Sequence, residues 1–167
     1  NVIIDNLGYG LCELVLGVPD AWIDVTSLAD LADLSMEFRE EGRDLRTAAK
    51  FPRMVERFLL SHGVNFFSLV QSSGTLEAAP AMGFADIIAD ISESGTTMRA
   101  NRLKTIQGGS IMTSEACLIG NQRLLAADKE KLSSAKAMAE FIEGRLLSQE
   151  FYSITANMRG EAPEEIA

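Results

Sequence analysis

Short apolar runs alternating with helical stretches predict an α/β chain built on mostly parallel sheets. Two observations carry that expectation. The apolar runs are bounded by Gly, Pro or Ser, as the strands of a buried sheet are. The run at 87–90 also leads through Ser94-Gly95-Thr96-Thr97 into a helical stretch, the strand–turn–helix corner on which such folds are built.

In chain order, residues 11–18 read as a buried strand ended by Pro19. Residues 26–41 place Leu28, Leu31, Ala32, Met36 and Phe38 at a partly helical spacing, with Gly42 as a stop. Residues 45–50 form a short strand. A helix follows from Pro52, which suits a first turn; Phe51, Met54, Val55, Phe58 and Leu59 share one face, and Gly63 ends it. Residues 66–70 are another strand, and Ser72-Ser73-Gly74 leads into a short helix at 75–79 stopped by Pro80. After the strand at 87–90 and its corner, a helix runs to about Asn101. Residues 103–107 and 116–119 read as two further strands with a turn at Gly108-Gly109-Ser110 between them. A long helix spans 127–150 with Leu132, Ala135, Met138, Ala139, Ile142 and Leu146 as its stripe. Residues 151–158 then alternate like a strand, and Pro163-Glu164-Glu165 opens a last helix.

The balance of charge removes some function classes. A formal net charge of −9 over 167 residues argues against nucleic acid as a partner, because a phosphate backbone calls for a basic face. No apolar run approaches the roughly 20 residues that span a bilayer. The two cysteines, Cys12 and Cys117, sit in apolar runs and are expected as buried reduced thiols without metal spacing. The single histidine, His62, lies just before Gly63 and is expected to complement a helix C-terminus rather than act as a general base.

The corner at 90–97 is where chemistry concentrates. Successive backbone N–H groups at a loop and helix start form a nest for a phosphate, and the Ser94, Thr96 and Thr97 hydroxyls add donors. Gly95 lets the backbone approach closely, and Asp90 at the strand end suits two neighbouring ribose hydroxyls. The same string also reads as an ordinary corner whose Ser and Thr only cap the helix.

The longer string Asp90-Ile91-Ser92-Glu93-Ser94-Gly95-Thr96-Thr97-Met98-Arg99-Ala100-Asn101 resembles the phosphoribosyl pyrophosphate signature of the ATP phosphoribosyltransferases, the first enzymes of histidine biosynthesis. Four other stretches match that family in order. They are Leu7-Gly8-Tyr9-Gly10-Leu11-Cys12-Glu13-Leu14-Val15, Leu45-Arg46-Thr47-Ala48-Ala49-Lys50-Phe51-Pro52, Ser73-Gly74-Thr75-Leu76-Glu77-Ala78-Ala79-Pro80 and Glu115-Ala116-Cys117-Leu118-Ile119. The family's N-terminal strand and basic loop have no counterpart, so the resemblance implies an internal fragment of the long form, inactive by itself.

The resemblance implies a two-lobed architecture like that of a periplasmic binding protein. Residues 1–19 and 113–150 are then a remnant of the first catalytic lobe, lacking its N-terminal part. Residues 20–112 are the second lobe with the phosphoribosyl loop, and 151–167 the start of a regulatory domain. It further implies that ATP and phosphoribosyl pyrophosphate are condensed to phosphoribosyl-ATP with Mg²⁺. Asp90 is implied at the ribose, and Ser94, Gly95, Thr96 and Thr97 at the 5′-phosphate. Lys50, Ser73, Gly74 and Glu77 are candidates for the pyrophosphate. Glu93 reads as a solvated loop acid, and Arg99 and Arg102 as solvated helix charges. Histidine as feedback inhibitor, a homo-oligomer between dimer and hexamer, and a cytoplasmic location (plastid stroma in a photosynthetic eukaryote) complete what the resemblance implies. A rival from another class is a non-catalytic two-lobed small-molecule binding module, which would have no need of the phosphate nest.

Overall fold

A computed structural model describes residues 1–70 and 75–148, and these divide into two compact units, one within 9–116 and the other formed by 1–8 with 117–148. The expected edges at 19/20 and 112/113 differ from these. The strand β2 (Cys12–Pro19) is hydrogen-bonded into the middle of the larger unit's sheet, and so belongs with residues 20–112.

The smaller unit pairs β1 (Val2–Ile4) antiparallel with a two-residue strand, Leu118–Ile119, and adds helices at Gln122–Ala127 and Lys129–Ser148. The long helix expected over 127–150 is the second of these, Lys129–Ser148, and the short helix before it was not expected. Asn121 caps the first through N–H donation from Arg123 and Leu124, and Asp128 lies extended between them and accepts from Glu130 and Lys131. The expected stripe is half-buried apart from Met138, which is exposed. The expected strand at 151–158 and the helix opening at Pro163 lie outside the described residues.

The larger unit holds α1 (Leu28–Glu40), β3 (Leu45–Ala49), α2 (Pro52–Ser61), β4 (Phe67–Val70), a 3₁₀ turn at Leu76–Ala78, β5 (Ile87–Ser92), α3 (Thr96–Ala100) and β6 (Leu103–Ser114). Its five strands are ordered β4-β3-β5-β2-β6. The sheet is mixed, which corrects the mostly parallel expectation: β3 runs parallel to β4 and β5, whereas β2 is antiparallel to both β5 and β6. Period-2 alternation distributes the core to both faces. Leu16, Val18, Leu45, Ile87 and Ala89 pack with Leu28, Leu31, Val55 and Leu59 of α1 and α2. Val15, Ala48 and Ile88 face the other way, toward Leu76 and Met98.

Three details depart from the sequence reading for physical reasons. The strand expected at 103–107 runs on to Ser114, because the glycines expected as a turn are absorbed into register shifts against β2, where Val15 pairs with Ser110 and Gly17 with Thr105. The second expected strand, 116–119, is reduced to Leu118–Ile119. Neither cysteine is buried: Cys12 is half-buried and Cys117 exposed. Phe51 is exposed at the N-cap of α2, so the buried face of that helix narrows to Val55 and Leu59. His62 does sit at the α2 C-cap, its Nδ1 2.8 Å from the Phe58 carbonyl oxygen.

One ion pair ties β3 to β5 at their N-terminal ends. The Arg46 guanidinium donates to both Asp86 oxygens, at 3.2 Å and 2.9 Å, and the Arg46 backbone N–H donates to Asp86 Oδ2 at 2.8 Å. Burial alone would push the Asp86 carboxyl up. The hydrogen bonds from Arg46 and the charges of Arg46 and Arg43 outweigh it, and hold the carboxyl below the usual carboxylate range. Asp86→Asn is therefore expected to destabilise the chain at neutral pH by about 1–2 kcal/mol, toward the low end because Arg46 is partly exposed. A carboxyl depressed in the native state contributes fully above its unfolded pKa, and that contribution is lost as pH falls through the native one. The gap in urea midpoint between wild type and variant should accordingly close below about pH 4. An unchanged gap at pH 3 would deny the pair any role through ionisation.

Candidate functional site

Parallel pairing of β3 with β5 places the residue that follows the C-terminal end of β3 beside one in the C-terminal half of β5. The register Thr47↔Ile87, Ala48↔Ile88, Ala49↔Ala89 carries Lys50 alongside Asp90. The Lys50 backbone N–H donates to the Ala89 carbonyl at 3.2 Å, and Lys50 Nζ stands 3.8 Å from Asp90 Oδ1. Asp90 is mostly covered, and its Oδ1 also accepts from the Ile91 N–H at 2.7 Å. This is the crevice end of the strands, where α/β sheets carry their ligands.

A cavity of about 410 Å³ opens at that point, lined by Lys50, Glu77 from the 3₁₀ turn, and residues 90–98. Most of the expected site residues therefore meet in one place: Asp90, Ser94, Gly95, Thr96, Thr97, Lys50 and Glu77. Ser73 and Gly74 lie outside the described residues. Glu93 is exposed but also lines the cavity, so among the described residues the lining charges are one lysine against three carboxylates.

The loop itself is held by short local bonds. Gly95 has φ of 69°, a left-handed conformation that favours glycine, and forms the N-cap of α3. Its N–H donates to Ser92 Oγ at 2.9 Å, while the Thr96 N–H reaches Ser94 Oγ at 3.4 Å. Ser94 Oγ and Thr96 Oγ1 are 2.8 Å apart. Below the loop, Met98 is buried against β2. A Cβ added at Gly17 would come within 2.8 Å of Met98 Sδ and 3.0 Å of Ile88 Cγ1, so the bare glycine is what lets α3 settle onto the sheet.

Arg99 is exposed on α3, as expected of a solvated helix charge, but it also holds the loop: its Nη2 donates to the Ser94 carbonyl at 3.0 Å and lies 3.4 Å from Thr96 Oγ1. The available signal was its place four residues after Gly95, one helical turn above the loop. Ser92 was also missed as a loop-closing acceptor; a serine two residues beyond a strand carboxylate gives no pattern that distinguishes it. Arg46, four residues before Lys50, is bonded to Asp86 at the opposite end of β3. A second cavity, in the smaller unit, is lined chiefly by aliphatic side chains such as Ile3, Leu118 and Leu124, and includes none of the expected site residues.

Comparison with known proteins agrees with the geometry. The family model described as HisG, ATP phosphoribosyltransferase, matches residues 2–144. The ATP phosphoribosyltransferase of Brucella anthropi is 46% identical over 120 residues, which is 71% of this chain and 52% of that protein. The Brucella suis protein of the same name is 45% identical with the same coverage. The chain thus spans about half the length of the curated relatives it matches. In three dimensions it resembles the ATP phosphoribosyl transferase (HisG:HisZ) complex from Thermotoga maritima with a TM-score of 0.60. That likeness covers 86% of this chain and 63% of that one at 23% identity, and it bears on the fold alone.

Gly95→Val is expected to disturb this loop more than the core. A Cβ at Gly95 would lie 2.8 Å from Arg99 Nη1, and a β-branched residue at positive φ is strained by about 1–2 kcal/mol. Urea unfolding should register a loss of that size, and amide exchange should rise at 94–97 before it rises in β2. Equal exchange in both regions would place the strain in the sheet.

Proposed function

The chain belongs to the ATP phosphoribosyltransferase family, and on that premise we propose that its larger unit holds the phosphoribosyl pyrophosphate of an enzyme that condenses this sugar with ATP, opening histidine biosynthesis. The observation that carries the reading is the convergence of Asp90, Lys50 and the Ser94–Thr97 loop on one cavity at the ends of β3 and β5. Asp90 accepts from the ribose hydroxyls. Its Oδ1 is already fixed by the Ile91 N–H, which sets the carboxylate plane and leaves Oδ2 for the sugar. The loop amides and the Ser94, Thr96 and Thr97 hydroxyls take the 5′-phosphate. Lys50 turns from Asp90 toward the pyrophosphate. Ser73 and Gly74 remain candidates for the same group.

Adenine N1 then displaces pyrophosphate at the anomeric carbon, through a transition state of oxocarbenium character. Little covalent work falls to the protein. Its residues align the sugar, hold the leaving group and exclude water. The cavity's one lysine and three carboxylates do not balance a ligand that carries a phosphate and a pyrophosphate, and this fits a divalent cation entering with the ligand. Among the described residues no cluster of three or more His, Cys, Asp or Glu is gathered as a metal centre. Mg²⁺ would therefore rest on substrate phosphates with Glu77 or Asp90, where it supplies neutralisation of the departing pyrophosphate.

The remaining parts of the reading follow the family. The larger unit is one lobe of a two-lobed, periplasmic-binding-protein-like enzyme, working in the cytoplasm. It assembles with further copies or with a second polypeptide of the HisZ type that the Thermotoga maritima structure names for its own complex. Histidine acts as feedback inhibitor of that assembly. Among the described residues no helix is long and apolar enough to cross a membrane.

Phosphoribosyl pyrophosphate with Mg²⁺ should raise the thermal midpoint of the 167-residue chain, and ATP alone should raise it weakly. At about 100 times the dissociation constant the gain is about 2.7 kcal/mol. Asp90→Asn should remove most of that gain while leaving the unliganded midpoint in place. A shift with ATP and none with phosphoribosyl pyrophosphate would overturn the assignment. The same chain, matching only 52% of its curated relatives' length, is expected to show no enzyme-like turnover. Positioning of two substrates supplies roughly 7–11 kcal/mol of such catalysis and needs both sites. Phosphoribosyl-ATP absorbance in a mixture with both substrates and Mg²⁺ checks this, and robust turnover would place the ATP site within the 167 residues.

A further inference from the structure

We infer that Arg99 is the positioning residue of the phosphate loop: its guanidinium sets the Thr96 hydroxyl as a donor toward a bound phosphate and ties back the Ser94 carbonyl. The inference rests on the phosphate-binding reading of that loop. It starts from hydrogen-bond chemistry. A guanidinium donates only, so an oxygen that accepts from it keeps its own proton for another partner. Arg99 Nη2 lies 3.4 Å from Thr96 Oγ1, and the Thr96 hydroxyl is then left to donate. Its near neighbour is Ser94 Oγ, 2.8 Å away. A phosphate offers acceptors only, so a loop whose hydroxyls are set as donors is matched to it.

The second contact removes an obstacle. A backbone carbonyl turned toward an anion repels it, and Nη2 holds the Ser94 carbonyl at 3.0 Å. Nη1 makes no hydrogen bond among the described residues and lies over Gly95, where an added Cβ would be 2.8 Å away. Glycine at 95 is therefore required twice, by its positive φ and by the guanidinium that covers it. Arg99 does not line the cavity, so it acts through Thr96 and Ser94 and not by contact with the ligand. The placement is itself anchored: the Arg99 N–H closes the first turn onto the Gly95 carbonyl at 3.0 Å, and the adjacent Met98 is buried against the sheet.

A double-mutant cycle tests the mechanism on the full 167-residue chain, with ribose 5-phosphate and phosphoribosyl pyrophosphate–Mg²⁺ as probes in calorimetry. Arg99→Met should weaken both by about ten-fold or more, the scale of a lost charge-assisted hydrogen bond. Arg99→Lys, which keeps a single donor, should recover part of the loss. In a Thr96→Val background the effect of Arg99→Met should shrink clearly, because one of the groups through which it acts is gone. Ribose without phosphate should show no dependence on residue 99. Equal binding by wild type and Arg99→Met, or strict additivity with Thr96→Val, would overturn the inference while leaving the proposed function standing. Absence of binding by the unsubstituted chain would overturn both. Should Arg99→Met and Arg99→Lys each lower the unliganded thermal midpoint as much as they lower binding, Arg99 would be a structural residue and the inference would fail.

Discussion

The parallel register of β3 against β5 is the constraint on which the rest of the larger unit depends. It sets each residue of β3 beside the one forty positions later: Thr47 with Ile87, Ala48 with Ile88, Ala49 with Ala89. The same offset pairs Arg46 with Asp86 at one end and Lys50 with Asp90 at the other. The first pair is fastened by several hydrogen bonds and half covered. The second is a single long contact of 3.8 Å at the mouth of a cavity. One end thus fixes the register and the other is left loose enough to exchange partners. A slip of one residue would turn Ile87 and Ala89 to the face now held by Ile88, and no rearrangement of side chains would restore the core.

A second constraint follows from the first. Once β5 is fixed, the height of the loop at 94–97 depends on how closely α3 can approach β2, which lies beside β5. Gly17 sets that distance, because Met98 and Ile88 occupy the space where its side chain would be. A five-residue helix has little rigidity of its own. It is held by the buried Met98 on one side and by the Arg99 guanidinium over Gly95 on the other. Sheet, glycine and helix together leave the loop with few ways to move.

Much of this was legible in the sequence, and the gaps have identifiable causes. The strand starts at Leu45 and Ile87, the Pro52 helix and the loop at 94–97 announce themselves through apolar runs, a first-turn proline and small residues. Strand direction does not: nothing in 12–19 marks β2 as antiparallel, since a strand buried on both faces reads the same either way. Gly108-Gly109-Ser110 looks like a turn because glycines favour turns, but long pairing with β2 absorbs them into a strand with shifted register. The start of α1 was open to reading from Ser27 and Asp30, which cap each other's backbone; N–H and hydroxyl donors from Thr26 and Ser27 hold the Asp30 carboxyl down to about 2. Arg99 was the harder case. Its sequence position fits a solvated helix face as well as a loop clamp, and only the close approach of α3 to the sheet decides between them.

On the proposed function, the local bonds of the loop show how an acidic chain would keep an anion site open. Ser92 Oγ accepts from the Gly95 amide and Ser94 Oγ from the Thr96 amide, so side-chain oxygens stand where phosphate oxygens would otherwise be sought. The two amides are not left unsatisfied, and the loop does not collapse onto some other acceptor to relieve them. A phosphate entering the loop exchanges one set of oxygen acceptors for a stronger, charged set, and little new backbone order is required. The opposing term is the charge around the cavity, where Glu77, Asp90 and Glu93 outnumber Lys50. In water at contact distance each such pair contributes on the order of 1 kcal/mol, and several times that where the site is partly dry. Local donors can win that contest for a phosphate placed on the amides. They are less able to win it for a pyrophosphate beside Asp90, so on the proposed function selectivity for a whole phosphoribosyl pyrophosphate would depend on a cation arriving with it.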